Sequence, residues 1–229
     1  MSVIKTNDLM KVYTQGDYTI NALDGVSVEI DQGEFTAVVG PSGSGKTTLL
    51  NAIGGLDEPT SGSVLINGQD ITQLSGNRLI DFRMRNIGFV FQAYNLIPVL
   101  TAKENVGFVM LLQGTPAAER EARTAELLKA VGLGEIMGKR PNQMSGGQQQ
   151  RVAVARALAP KPQFILADEP TANLDSKSTE NLLDMMARLN KEEGITFIFS
   201  THDQRVIDRA RRVITMEDGK IISDEKRSE

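Results

Sequence analysis

The run GPSGSGKT, Gly40 to Thr47, carries the clearest chemistry in this chain. It fits G-x-x-x-x-G-K-[ST], and each residue type follows from the ligand that such a loop suits. Glycines let the backbone wrap closely around a phosphate with no Cβ in the way. Successive N–H groups and the N-terminus of the following helix then face the anion. Gly40, Pro41, Ser42, Gly43, Ser44, Gly45, Lys46, Thr47 and Thr48 are therefore expected to hold the phosphates of a nucleotide. Lys46 is expected to reach the outer phosphates, and the Thr47 hydroxyl can ligate Mg²⁺.

A second stretch, FILADE, runs an apolar strand into Asp168 and Glu169. Two acids at the end of a buried strand are costly unless they meet positive charge. Asp168 is placed to hold Mg²⁺. Glu169, beyond the metal, is the candidate general base, or the group that polarises an attacking water. His202, the single histidine of the chain, follows the apolar run ITFIFST. A lone histidine after a strand is often a hydrogen-bonded rim residue. If the two strands run parallel side by side, however, His202 ends on the same edge as the acids.

The stretch NQMSGGQQQR, Asn142 to Arg151, is a polar, glycine-rich entry into the apolar run VAVARALA. Ser145-x-x-Gln148 is a capping-box pattern, which makes Ser145 the cap of a helix begun by Gly146 and Gly147. Such an end presents free N–H groups and a hydroxyl, an anion receptor. Two glycines opening a helix cost stability. With a phosphate loop already present, a second receptor makes sense if it faces the nucleotide of another chain.

The elements that must position these residues are legible in outline. DGVSVEI alternates like a half-buried strand, and GSVLINGQDI is broken by the hairpin signal Asn67-Gly68. FTAVVG is a continuous apolar run of the fully buried kind. KTTLLNAI follows as a helix, stopped by Gly54-Gly55. The middle lacks strand signals. Thr115-Pro116 is expected to open a helix, with Thr115 as cap, that buries Ala118, Ala122, Ala125, Leu128 and Val131. Beyond Gln163 strands and helices alternate, with Leu182, Met186 and Leu189 on one stripe. RRVITME and KIISD turn at Asp218-Gly219, and the tail EKRSE is expected to fray. The expected fold is an α/β P-loop core with a mostly parallel sheet, an antiparallel β-subdomain and an inserted helical subdomain. The chain is read as a single domain, 1–229, with core segments 1–92 and 161–229 and a helical subdomain at 93–160.

Composition narrows the classes. In 229 residues, 40% are hydrophobic and 24% charged, as in an ordinary globular protein. A net charge of −4 argues against binding nucleic acid by bulk attraction. The absence of cysteine removes disulfides and thiolate metal sites. No signal-peptide pattern and no apolar run of roughly 20 residues is present. The expectation is a cytoplasmic protein whose membrane spans, if it needs any, come from other chains.

GPSGSGKT, MSGGQQQR, FILADEPT, NLD and STHD, in this order, resemble the nucleotide-binding subunit of ABC transporters across nearly the whole chain. Met144 stands where that family usually has leucine, an apolar exchange of similar volume. The resemblance implies an ATPase that uses ATP and Mg²⁺. It implies that Tyr13 stacks on adenine, with Tyr18 a nearby competitor for that role. It implies that Gln92 contacts Mg²⁺ and the attacking water, that His202 touches the γ-phosphate, and that the loop Asn173-Leu174-Asp175 communicates between sites. Two copies are expected to pack head to tail, with each ATP between one phosphate loop and the other chain's Ser145, Gly146, Gly147 and Gln148. Integral membrane permease subunits are expected to dock near Gln92 and AYNLIPVLTAKENV, placing the chain at the inner face of the cell membrane. Leu96, Ile97, Val99 and Leu100 divide between a partner pocket and the core. FVFQAYNLIPVLTAKENV and ILADEPTANLD are most similar to the lipoprotein-releasing, macrolide-exporting and cell-division class. A DNA-repair or translation-associated relative, or a regulatory switch, is the alternative; no sustained heptads and no second such domain accompany the motifs.

Overall fold

The alternating strands of the first 70 residues and the continuous apolar strands sort into two different sheets. The computed structural model describes residues 2–16 and 18–227. The alternating type comes first. β1 (Ser2–Gln15) and β2 (Tyr18–Asp31) pair antiparallel, and Leu23, Val26, Val28 and Ile30 of β2 point inward. β3 (Phe35–Val39) is of the continuous type and leads through the phosphate loop into α1 (Lys46–Ile53). β4 (Ser61–Ile66) and β5 (Gln69–Asp70) form the expected hairpin. Its turn residues Asn67 and Gly68 both have positive φ, at 48° and 80°, the backbone that a tight two-residue hairpin requires.

Next come α2 (Gly76–Asn86), β6 (Ile87–Val90), α3 (Ala102–Leu112), α4 (Ala117–Ala130) and α5 (Gly146–Leu158). The chain then alternates through β7 (Phe164–Asp168), α6 (Ser176–Glu193), β8 (Thr196–Ser200), α7 (Gln204–Arg209), β9 (Arg212–Glu217) and β10 (Lys220–Lys226). One sheet has four strands in the order β2-β1-β4-β5, all antiparallel. The other has six in the order β10-β9-β3-β8-β7-β6, parallel except for the edge strand β10.

The inner strands β3, β7 and β8 of the larger sheet are buried on both faces, which is why they read as unbroken apolar runs. Phe164, Leu166 and Ile198 face α1 and the antiparallel sheet, in one core. Ile165, Ala167, Phe197 and Phe199 face the helices α3 to α6, in the other. Phe35 packs between Phe197 and Phe199 on that second face, with centroids 5.7 and 4.6 Å away. Parallel pairing sends the C-terminal ends of β3, β6, β7 and β8 to a single edge, and every catalytic candidate follows one of those ends.

Several expectations need correction. Pro116, not Thr115, caps α4, with no side-chain bond. Thr115 is spent closing α3 instead: its N–H donates to the Met110 carbonyl at 2.9 Å. The buried face of α4 is Thr124, Leu127 and Leu128, continued by Val131, while Ala118 and Ala122 are exposed. Those alanines reflect helix propensity rather than packing. The tail does not fray at Glu225: Glu225 and Lys226 pair with Val213 and Arg212 in β10, while Ser228 and Glu229 lie outside the described residues. α2, β6 and α7 had no clear signal. α2 buries none of its residues fully, and β6 is only four residues long.

Arg212 links the two sheets. Its guanidinium is 7% exposed and donates to Asp224 on β10 at 2.7 Å, to both carboxylate oxygens of Glu34 at 2.9 and 3.0 Å, and to the Glu29 carbonyl of β2 at 2.6 Å. The Arg212 hydrogen bonds, outweighing burial, hold the Asp224 carboxyl below the usual carboxylate range. Arg212→Ala would leave two carboxylates facing each other and should lower the unfolding free energy by about 3 kcal/mol or more, read by urea denaturation. Because the folded pKa of Asp224 is depressed, its contribution is complete above its unfolded pKa and is lost as pH falls through the folded one. Asp224→Asn should therefore flatten the decline in stability below about pH 4.

Candidate functional site

The phosphate loop is shaped by what glycine alone permits. Gly40 has φ 146°, and a Cβ there would sit 2.1 Å from the Met216 carbonyl oxygen. Gly45 has φ 98°, and a Cβ would lie 2.3 Å from that of Ala22. The loop thus presses against both sheets. Gly45 also caps α1 without any side-chain bond, so the first N–H groups of the helix remain available to an anion. Lys46 is 8% exposed, and its Nζ donates to the carbonyls of Gly40 and Pro41 at 2.9 and 2.8 Å. A cation held by its own loop beside the free N–H groups of a helix start suits a polyphosphate.

The acids meet this loop from β7. Thr47 Oγ1 donates to Asp168 Oδ1 at 3.0 Å, so two of the three expected Mg²⁺ ligands are already neighbours. A hydroxyl and a carboxylate are hard oxygen donors, the type that Mg²⁺ selects. Glu169 follows in the left-handed region at φ 45°, uncommon for such a side chain. Its Oε1 contacts His202 Nδ1 at 2.7 Å, and its Oε2 is buried with no hydrogen-bond partner among the described residues. His202 is 75% exposed at its side chain against 18% for Glu169, so the histidine is the outward member of the pair.

The strain at Glu169 is held by contacts that sequence reasoning missed. The Glu169 N–H donates to the Ser200 carbonyl at 2.9 Å. Thr171 Oγ1 donates to Asp203 Oδ2 at 2.9 Å, tying the loop after β7 to the loop after β8. Arg205 grips the same carboxylate through two nitrogens, and this above all lowers the Asp203 pKa to about 2. Gln150, fully buried in α5, donates to the Pro170 carbonyl at 2.7 Å. No local signal marks Thr171 or Gln150. The Asp203 cap on α7 could have been suspected from its position before an apolar-periodic segment.

Gly40 to Gly43, Gly45 to Thr48, Gln92, Glu169 and His202 line one open cleft of about 640 Å³. Asp168 meets it through Thr47, and Ser44 is buried beneath the loop. Gln92 follows β6, and its carbonyl accepts from Asn173 Nδ2 at 2.9 Å. The Asn173 carbonyl in turn accepts from the Tyr94 hydroxyl at 3.2 Å. Tyr94 and Asn95 both have positive φ, and their carbonyls accept from the Arg156 guanidinium of α5 at 2.9 and 2.5 Å. Of the four apolar residues expected in this loop's partner contact, Val99 is 72% exposed, whereas Leu96 packs on the core.

Other candidates lie off the cleft of their own chain. Ser145 caps α5 with both bonds of the capping box, but neither it nor Gly146, Gly147 and Gln148 lines the cleft. The glycines have an additional reason within the chain. A Cβ on Gly146 would come 2.8 Å from the Tyr94 hydroxyl, and one on Gly147 2.9 Å from Ser178 Oγ. Asp175 caps α6 by accepting from the Ser178 N–H and hydroxyl, which hold its carboxyl below the usual range. Tyr13 does not line the cleft either; its cross-strand partner Ile20 does.

The comparisons with known proteins agree with this geometry. The family described as ABC transporter matches residues 23–172, and one described as "AAA domain, putative AbiEii toxin, Type IV TA system" matches residues 140–208. An "Uncharacterized ABC transporter ATP-binding protein" of Thermotoga maritima is 50% identical, over 98% of this chain and 96% of that one. The "Lipoprotein-releasing system ATP-binding protein LolD 1" of Rhodopseudomonas palustris is 48% identical, over 96% and 98%. The "Macrolide export ATP-binding/permease protein MacB" of Brucella melitensis is 47% identical, but this chain spans only 34% of its length. Among solved structures, the dimeric post-hydrolysis state of the ATP-binding cassette MJ0796, bound to ADP and Pi, superposes with a TM-score of 0.91 at 44% identity, covering 99% of both chains. With its phosphate loop, its paired acids and a family match across most of its length, this chain belongs to the ABC transporter family as an ATP-binding cassette.

Proposed function

We propose that two copies of this chain close head to tail on ATP and, by opening after hydrolysis, drive separate permease subunits. The carrying observation is the separation of two anion receptors. The phosphate loop and the Ser145 helix start are both built for an anion, yet only the first lines the cleft of its own chain. A second chain supplies the second receptor.

In this reading Lys46 and the loop N–H groups hold the β- and γ-phosphates, and Thr47, Asp168 and Gln92 hold Mg²⁺. The metal supplies charge neutralisation across the phosphates. Glu169 polarises the attacking water and takes its proton, while His202 holds the base in place and meets the γ-phosphate from the exposed side. The left-handed backbone at Glu169, clamped through Ser200 and the Thr171–Asp203 bond, fixes the carboxylate before substrate arrives. Tyr13 stacks on the adenine ring, and Asp175 contacts the partner across the interface.

Closure needs a differential affinity of roughly 5 kcal/mol to swing from mostly open to mostly closed. Hydrogen bonds to a charged group contribute about 1.5–3 kcal/mol each, so two or three new bonds from Ser145, Gly147 and Gln148 to one γ-phosphate suffice. Movement passes outward through the Gln92 loop. Beside that loop an apolar groove of about 420 Å³ is lined by Leu56, Ile80, Phe91, Ile97 and Phe108, and permease subunits dock there. This places the chain on the inner face of the cell membrane. In keeping with its LolD and MacB relatives, the machine is of the kind that moves lipoproteins or exported compounds outside the bilayer.

Glu169→Gln should keep ATP binding and lose turnover by about 100-fold or more. A dimer should then persist on size exclusion with ATP; unchanged phosphate release would remove Glu169 from its role. Ser145→Arg and Lys46→Ala should each be inactive alone. Mixed in equal amounts they should recover up to about a quarter of wild-type turnover, because half of randomly paired dimers carry one intact composite site. Failure of every mixture to gain activity would refute the shared site.

A further inference from the structure

We infer that Lys11 and Asp57 clamp the Tyr13 ring as a preset wall for a planar aromatic base, making them positioning residues for nucleotide recognition. This rests on the reading of Tyr13 given above. Tyr13 lies near the end of β1 and is 43% exposed, a setting in which a tyrosine ring ordinarily samples several rotamers. Here its freedom is removed from two directions. The hydroxyl donates to Asp57 Oδ2. The Lys11 ammonium stands 4.9 Å from the ring centroid, over one face. Lys11 is itself fixed, donating to Asp57 Oδ1 at 2.5 Å and to the Glu58 carbonyl at 2.7 Å.

The clamp leaves the other face of the ring for a ligand. A cation on one face is held by the negative quadrupole there, and it immobilises the ring without covering the opposite side. Tyr13 is paired directly with Ile20 across the β1–β2 ladder, which puts both side chains on the same face of that sheet. Ile20 is 65% exposed and lines the cleft beside Thr48. Ile20 thus brings the Tyr13 wall beside the cleft that holds Lys46, as a base would require with its phosphates at Lys46. Asp57 follows the Gly54-Gly55 stop of α1, and α1 begins in the phosphate loop, so one rigid helix carries both the phosphate contacts and the anchor of the base wall.

Burial and the bond to Asp57 both raise the Tyr13 pKa, which keeps its hydroxyl a donor. Burial opposes ionisation of Asp57, but the hydrogen bonds from Lys11 and Tyr13 outweigh it and hold the carboxyl below its usual range. The clamp therefore persists across the neutral range.

The test separates base recognition from phosphate binding. Equilibrium affinities for ATP and for inorganic tripolyphosphate, both with Mg²⁺, are measured by calorimetry for the wild type, Tyr13→Ala, Tyr13→Phe, Asp57→Ala and the Tyr13→Phe/Asp57→Ala pair. Asp57→Ala and Tyr13→Phe should each weaken ATP about three- to tenfold, the entropy of re-ordering one ring, and leave tripolyphosphate unchanged. The double variant should be no worse than either single one, because both break the same contact. If Tyr13→Ala loses ATP affinity while Asp57→Ala and Tyr13→Phe keep it, the ring is a base platform that needs no clamp, and the inference is overturned alone. If Tyr13→Ala keeps full ATP affinity, the stacking role of Tyr13 falls and the clamp with it. Equal losses toward ATP and tripolyphosphate would also overturn the inference, since the damage would not be to base recognition.

Discussion

Parallel hydrogen bonding in the six-stranded sheet is the constraint from which the site follows. Parallel neighbours must be joined by crossovers, so their C-terminal ends gather on one edge. The spatial order β3-β8-β7-β6 then sets the order of the chemistry along that edge: Lys46, His202, Glu169, Gln92. Adjacent strands are about 5 Å apart, which is why the side chains that follow β7 and β8 can touch. The 2.7 Å contact between Glu169 and His202 is thus a consequence of register, as is the paired descent of Asp168 and Ser200.

A sheet edge brings groups together only coarsely, and the remaining precision comes from backbone under restraint. Glu169 occupies a left-handed conformation that its side chain does not favour. It stays there because the Ser200 carbonyl, the Thr171–Asp203 bond and the Gln150 contact to Pro170 hold the peptide on both sides. The strain is the cost of a carboxylate held in one fixed orientation. The phosphate loop uses the opposite strategy. Its glycines accept close contact with Met216 and Ala22, so backbone donors rather than flexible side chains meet the ligand.

Other contacts connect the cleft to the N-terminus of α5. α5 begins at Ser145, touches Tyr94 through Gly146 and Ser178 through Gly147, and ends near Arg156, which grips the carbonyls of Tyr94 and Asn95. Tyr94 reaches Asn173, and Asn173 reaches the Gln92 carbonyl. Contacts thus run without a break from the N-terminus of α5 to the loop that carries Gln92.

Residue order was enough to read what depends on a few neighbouring residues. The phosphate loop, the acids ending FILADE, the Asn67-Gly68 hairpin and the Ser145 capping box are each set by backbone geometry within one turn, so their signals are local. Two-sided burial likewise marked β3, β7 and β8 as unbroken apolar runs. Contacts made across the fold left no such trace. Asp203 meets Thr171 over 32 positions, Tyr13 meets Asp57 over 44, and Arg212 meets Glu34 over 178. The cap of α4 was misread because Thr115 serves the preceding helix, and α2 gave little sign because it buries no residue fully. Which polar groups become partners depends on the order and register of strands distant along the chain, and that choice is made by burying two cores at once, a sum over the whole molecule that no short window of residues contains.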